Sequence, residues 1–417
     1  MSTHRLLSAA FIVGAAAAVL SGCRPIGTNL PPDRPAAPLA PASGRSDSTY
    51  TILAVVPSDP DTDSVALRLD LGDGEVTAWT ELLTSGDTAS TSHRWRMGVF
   101  SLRVQARDAY GVLTDWSIPC TLRIRPATAF PTAPIGIIVL PYDGNEDATI
   151  TPDGRLAFFL GSLDGISVID TEADTFFCFL SLPNPRSMSL TANGELLYVL
   201  YEDSVAAIQT RDMTITRRVP RSWRARDIAV TPDGSKLYCA HWRDSIYVVR
   251  VSDMAVDTAI PVRTDAEMVV CRPDGQYVYI GGGDSIAVIR TSDNAVTQYI
   301  PAPSNWPMAI LPSGEYLYVC CYGLGILVIR TSNNQLVATM PMNEPPSSIT
   351  ASADGQYVFA TRDDIVFVIS TSLNEVVEEI EFCGCECYHP IVILPDLSKF
   401  YVVTHEVVYV FGQADAP

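Results

Sequence analysis

Lysine is almost missing from this 417-residue chain, which holds only Lys236 and Lys399. Nearly all of its positive charge is arginine, which reads as a bias of the genome and not as function. Basic residues number 28 against 47 acidic ones, for a formal net charge of −19. Phosphate-backbone affinity rests on clustered Lys and Arg, so this balance argues against a nucleic-acid partner. Histidine is scarce as well. Of five, only His241, His389 and His405 fall in the C-terminal two thirds, too few for a histidine-rich copper centre. No Gly-x-Ser-x-Gly elbow, His-Glu-x-x-His helix or phosphate-cradling loop occurs. The longest apolar stretch, residues 6–20, is shorter than the ~20 residues a spanning helix needs. Nine cysteines follow Cys23, an odd number that cannot all pair within one chain and too sparse for a disulfide scaffold.

What the chain does have is a repeat. A turn recurs as TPDG at 151–154, TANG at 191–194, TPDG at 231–234, RPDG at 272–275, LPSG at 311–314, SADG at 352–355 and LPDL at 394–397. The steps are 40, 40, 41, 39, 41 and 42 residues, a period that marks a repeat architecture. Proline presets φ, aspartate bonds nearby backbone and glycine tolerates positive φ, so the repeated aspartates read as turn chemistry. The repeats before the last hold four short strands separated by turn signals, with no helical period. The third strands, such as Ile286-Ala287-Val288-Ile289 and Ile326-Leu327-Val328-Ile329, are continuous apolar runs. Such runs imply burial on both faces. Four-stranded sheets stacked radially around an axis provide it.

The last repeat supplies only three strands. An unassigned run at 135–141, IGIIVLP, resembles the fourth strands of the other repeats. It can complete the seventh sheet and remove an open edge. The expected fold is therefore all-β: a seven-bladed β-propeller over residues 128–417, preceded by a small immunoglobulin-like β-sandwich over 48–127. In the latter, Val65, Leu67, Leu69 and Leu71, and again Phe100, Leu102, Val104 and Ala106, alternate with more polar residues.

Ahead of both lies a targeting signal at residues 1–22. His4-Arg5 precedes the apolar stretch, which ends in Leu20-Ser21-Gly22-Cys23. This resembles the bacterial lipoprotein signal, which implies lipidation of Cys23; an ordinary secretory signal is the alternative. Residues 23–47 form a tether, with six prolines between 24 and 47. The sandwich, with Leu71-Gly72-Asp73-Gly74, His93-Arg94-Trp95, Gly98, Arg107-Asp108 and Gly111, resembles the polycystic-kidney-disease (PKD) type of domain. That resemblance implies a spacer or adhesion role without catalysis. The second strands Leu197-Tyr198-Val199, Leu237-Tyr238-Cys239, Val278-Tyr279-Ile280 and Leu317-Tyr318-Val319, with the turns above, resemble YVTN-type β-propeller repeats of bacterial and archaeal surface proteins. The Trp-Asp pair of WD40 blades is absent.

Two sets of residues are candidate sites. Loops joining strand two to three, and strand four to the next blade, should share one face. They carry Arg221, Trp223, Arg224, Arg226, Trp242, Arg243, Trp306 and Arg362. Trp and Arg are enriched in binding hot spots; capping of the blades is the alternative. The cluster Cys383, Cys385, Cys387 and His389 offers thiolate and imidazole ligands suited to zinc or copper(I), although its spacing departs from the usual zinc pair. Free or oxidised cysteines are the other reading. Apart from that cluster no cofactor is implied. The sequence thus reads as an exported, lipid-anchored, non-catalytic binding protein of the cell envelope. Its partner would be a protein, peptide or glycan, and its lipid would meet the membrane. A lactonase- or hydrolase-type enzyme with a site in the channel, and a structural envelope component, are the alternatives.

Overall fold

The computed structural model describes residues 29–46, 48–96, 98–125, 130–131, 133–141, 146–161, 165–202, 204–220, 225–241, 245–303, 305–382 and 389–412, with the side chains of all but Val219, Pro220, Asn305 and Trp306. Among these residues no helix forms. The chain divides into two compact units, Met1–Ile124 and Arg125–Pro417.

The first unit is a β-sandwich. One sheet orders its strands Ser43–Arg45, Cys120–Arg125, Gly98–Asp108 and Val65–Asp70; the other pairs Tyr50–Val55 with Thr88–His93. The alternation seen in the sequence puts Val65, Leu67, Leu69, Leu102 and Val104 inside, around a buried Trp95 whose indole N–H donates to Leu71 O at 2.9 Å. Trp79 and Trp116 lie half-buried under Arg68, whose guanidinium is 4.7 and 5.3 Å from their ring centres. They act as packing at the sandwich surface.

The second unit is a seven-bladed propeller. Among the described residues it contains seven four-stranded antiparallel sheets, six of them built from four consecutive strands. The seventh combines Ile391–Ile393, Lys399–Thr404 and Val407–Gly412 with Gly136–Val139 from the start of the unit. Val407 pairs with Val139 and Tyr409 with Ile137. The first strand of every blade touches the first strands on either side, and the seventh touches the first, so the ring closes.

Burial follows the sequence pattern. The third strand of the fourth blade has Ile286, Ala287, Val288 and Ile289 fully buried between neighbouring sheets. The outermost strands, such as Thr175–Ser181, are mostly exposed or half-buried. Adjacent blades share cores, as where Tyr238 and Val248 meet Val278 and Ile280. Cys320 and Cys321 point to opposite faces and join two different cores of this kind. The turn aspartates bind their own hairpins: Asp153 Oδ1 accepts from Thr151 Oγ1 at 2.5 Å and from Arg155 N at 3.1 Å, and Asp233 and Asp354 do the same. The glycine that follows adopts φ of 68–75° in six blades, and Leu397 takes the same left-handed conformation at 62° in the seventh.

Two features repeat that the sequence pattern did not suggest. The outer pairing slips by one residue at Val168/Ile169, Ala207/Ile208, Val248/Val249, Val288/Ile289, Val328/Ile329 and Val368/Ile369. Such a bulge adds twist to the outer strand. The second-strand tyrosines also reach into the next blade. Tyr238, Tyr279 and Tyr318 donate to Asn294, Asn334 and Asn374 Oδ1 at 2.8, 3.2 and 2.9 Å, and Tyr401 donates to Asp174 Oδ1 at 2.6 Å across the closing seam. Each acceptor sits at positive φ in a turn between third and fourth strands.

Candidate functional site

The ladder registers fix which loops share a face. In the second blade Pro185 pairs with Tyr201, Tyr201 with Ser204 and Ser204 with Pro220. The starts of first and third strands and the ends of second and fourth strands therefore lie together. At that end, where the first strands of blades one to four begin, a cavity of about 260 Å³ opens.

Its walls come from one position of the repeat. Seven residues before the turn glycine, or before Leu397 in the seventh blade, stand Asp147, Ser187, Asp227 and Met268 in blades one to four, and Pro307, Ser348 and Pro390 in five to seven. One residue earlier stand Glu146, Arg186, Arg226 and Glu267 in the first four blades. The cavity is lined by the eight residues of the first four blades, with Asn184 and Pro185. Glu146, Arg186 and Arg226 are exposed rim residues, and Glu267 is half-buried.

The carboxylates beneath the rim are engaged by backbone. Asp147 Oδ2 accepts from Met188 N of the next blade at 2.9 Å, and its Oδ1 accepts from Ala148 N at 2.8 Å. Asp227 Oδ1 accepts from Ser187 Oγ at 2.5 Å and from Ile228 N at 2.9 Å, while its Oδ2 accepts from Val269 N of the fourth blade at 2.7 Å. These aspartates fasten one first strand to the next. Burial pushes the Asp147 carboxyl up to about 7, with the charge of Asp227 adding to it. Burial pushes Asp227 up to about 6, against the hydrogen bonds from Ser187, Val269 and Ile228. Ser187 Oγ, which donates to Asp227, also receives Ile228 N at 3.2 Å, so it serves the same strand junction.

Of the sequence candidates, Arg226 lines this cavity. Arg362 does not: its Nη1 donates to Glu344 O at 3.0 Å, and its guanidinium covers Phe367 at 5.2 Å, as a cap on its own blade. Arg221, Trp223, Arg224, Trp242 and Arg243, and the Trp306 side chain, lie outside the described residues, as do Cys23, Cys383, Cys385 and Cys387. His389 is fully buried, with Nδ1 3.1 Å from Val403 O and its ring edge-on to Phe382. Asp147, Asp227, Glu146, Arg186 and Glu267 were not singled out by sequence reasoning. The signal was there, because aligning the repeats on the turn glycine stacks them in two columns.

No family model matches the chain, and no curated protein matches it. Among solved structures it is similar to Kuenenia stuttgartiensis hydrazine synthase, with a TM-score of 0.58 and 16% identity, over 66% of this chain and 97% of that one. It is also similar to the β-propeller domain of Myceliophteria thermophila Cps50 (Swd1), with a TM-score of 0.60 and 12% identity, over 68% of this chain and all of that one. At these identities the likeness is one of fold, and the fold is an all-β propeller.

Proposed function

We propose that this protein is an exported lipoprotein, anchored through Cys23, whose YVTN-type propeller binds a protein, peptide or glycan of the cell envelope without catalysis. The PKD-like sandwich serves as its spacer. The reading rests on the channel mouth. Glu146, Arg186, Arg226 and Glu267 present both signs of charge around a polar cleft, and complementary charge selects a partner and its orientation. The aspartates below them act as fasteners between strands. A tagged full-length chain, cross-linked in envelope extract, should recover one defined partner. The Arg186→Glu/Arg226→Glu chain should lose it, and Arg211→Glu, in the turn at the opposite end of the second blade, should keep it. Equal recovery by all three sinks the binding mouth. Mass spectrometry of the mature N-terminus should find a lipid on Cys23, and the Cys23→Ser chain should leave the membrane fraction; an unlipidated wild-type N-terminus refutes the anchor.

One observation favours a second reading. Burial pushes the Asp147 carboxyl up to about 7, into the protonation range of a general acid or base. Hydrolysis of a lactone or ester that is abolished in folded Asp147→Asn would carry the hydrolase reading over the binding one.

A further inference from the structure

The sandwich unit holds a cluster that neither the channel nor the sequence candidates involve. Asp59, Asp63 and Asp108 each bring a carboxylate oxygen within 4.8 Å of the other two. Asp59 and Asp63 belong to the link Asp59-Pro60-Asp61-Thr62-Asp63 between Tyr50–Val55 and Val65–Asp70; Asp108 ends the long strand Gly98–Asp108. Asp59 is only 7% exposed and Asp108 only 2%.

The two buried carboxylates differ in how they are satisfied. Asp108 Oδ1 accepts from Tyr110 N and Val112 N at 2.9 and 2.8 Å, and its Oδ2 accepts from Asn29 Nδ2 at 2.5 Å. Asp59 Oδ1 accepts from Asp61 N at 2.8 Å and Asp63 N at 3.2 Å. Asp59 Oδ2 is buried and has no hydrogen-bond partner among the described residues. A buried carboxylate oxygen without a donor is costly unless something positive meets it.

The geometry points to a divalent-cation site, and specifically to calcium, held by Asp59 Oδ2 with the carboxylates of Asp63 and Asp108. The donors are all hard oxygens, which suit calcium or magnesium and not the soft metals. Calcium takes a flexible set of carboxylates, backbone carbonyls and water, whereas magnesium demands near-ideal octahedral geometry and is seldom held by protein groups alone. Water and backbone carbonyls of the link would complete the shell. The ion would also tie down the segment leading into the sandwich. Leu30 N donates to Asp61 Oδ2 at 2.7 Å, Asp33 N to Ser58 O at 2.8 Å, and Asn29 to Asp108. The cation thus joins two stretches of chain that sit far apart in sequence, and hydrogen bonds lay a third, residues 29–33, against them.

Titration calorimetry of the chelator-treated full-length protein with calcium chloride tests this. One site should appear, with a Kd of about 10⁻⁴ M or tighter, the range of extracellular calcium modules and stronger. Calcium should raise the thermal midpoint. Asp63→Asn removes a partly exposed carboxylate and leaves the Asp59 and Asp108 turns intact. It should fold, by circular dichroism, and bind about tenfold or more weakly. Absence of binding heat at millimolar calcium together with an unchanged midpoint overturns the site. An unchanged affinity in folded Asp63→Asn, or equal affinity for magnesium, overturns the assignment.

Discussion

Aspartate does three different jobs in this chain, and its environment decides which. In the hairpin turns Asp153 and Asp233 accept a threonine hydroxyl and an amide at the surface, and those bonds hold their carboxyls below the usual range. At the cavity Asp147 and Asp227 are half-buried, and the loss of water around their carboxyls outweighs the amide bonds. In the sandwich Asp59 keeps one oxygen without a donor. The mouth pair has a consequence for stability. A carboxyl whose folded pKa is raised binds more protons folded than unfolded between its two pKa values, so folding weakens as pH rises through that window. From the ordinary 3.8 to about 7 for Asp147 and about 6 for Asp227, the window is about pH 4–7. Denaturant unfolding of the wild type should therefore lose stability from pH 5 to pH 7.5. Asp147→Asn should show a shallower loss, and parallel profiles for the two proteins would show that Asp147 does not titrate as described. The turn aspartates were legible from sequence because Pro-Asp-Gly carries its own local chemistry. The mouth aspartates were not, because their partners Met188 N and Val269 N lie about forty residues away along the chain.

At the scale of the element, alternation in the sandwich and unbroken apolar runs in the third strands told the two sheet types apart. The closing strand was legible too, since Gly136–Val139 filled a place the last repeat left empty. The recurrent bulge was not, because the extra residue falls on the outer strand at Phe177, Thr216, Asp257, Thr297, Val337 and Val377, none of them glycine or proline. The tyrosine latches were half legible: the second strands showed the tyrosines, but nothing in a single repeat says that their hydroxyls belong to the next one. The closing strand can be weighed directly. Ile138 and Leu140 are 6% and 2% exposed and pack with Phe159, Tyr401 and Val410. Leu140→Ala should cost about 2–5 kcal/mol, the range for truncating a buried leucine. Removing residues 128–141 should do more, exposing the edge of Val407–Gly412 and promoting self-association. A deletion protein as stable and as monomeric as wild type would mean that the seam does not depend on this strand. Phe130, which meets Tyr357 and Phe359 at 5.0 and 5.5 Å, anchors the approach to it on the sixth blade.

At the scale of the propeller, seven similar blades do not make a symmetric mouth. At the outer of the two positions blades one to four set Glu146, Arg186, Arg226 and Glu267, where six and seven set Ser347 and His389; at the inner position only blades one and three set a charge, Asp147 and Asp227. The repeat period made the fold readable from sequence, because each unit restates the same strand grammar. Function is written in the departures from that grammar, and a departure shows only when the repeats are aligned on one another at the turn glycine. That is why Arg226 was found among loop residues while Glu146, Arg186 and Glu267 were passed over.

Closure by Gly136–Val139 also sets an order of events during synthesis. A ribosome releases this strand before any blade exists, yet its partner Val407–Gly412 emerges after all the others. Six blades can assemble as they appear, while the strand that seals the ring must wait, unpaired, until the last segment has been made. The seam cannot form before Val407–Gly412 is available, and a chain cut short of residue 407 lacks the strand that Gly136–Val139 pairs with.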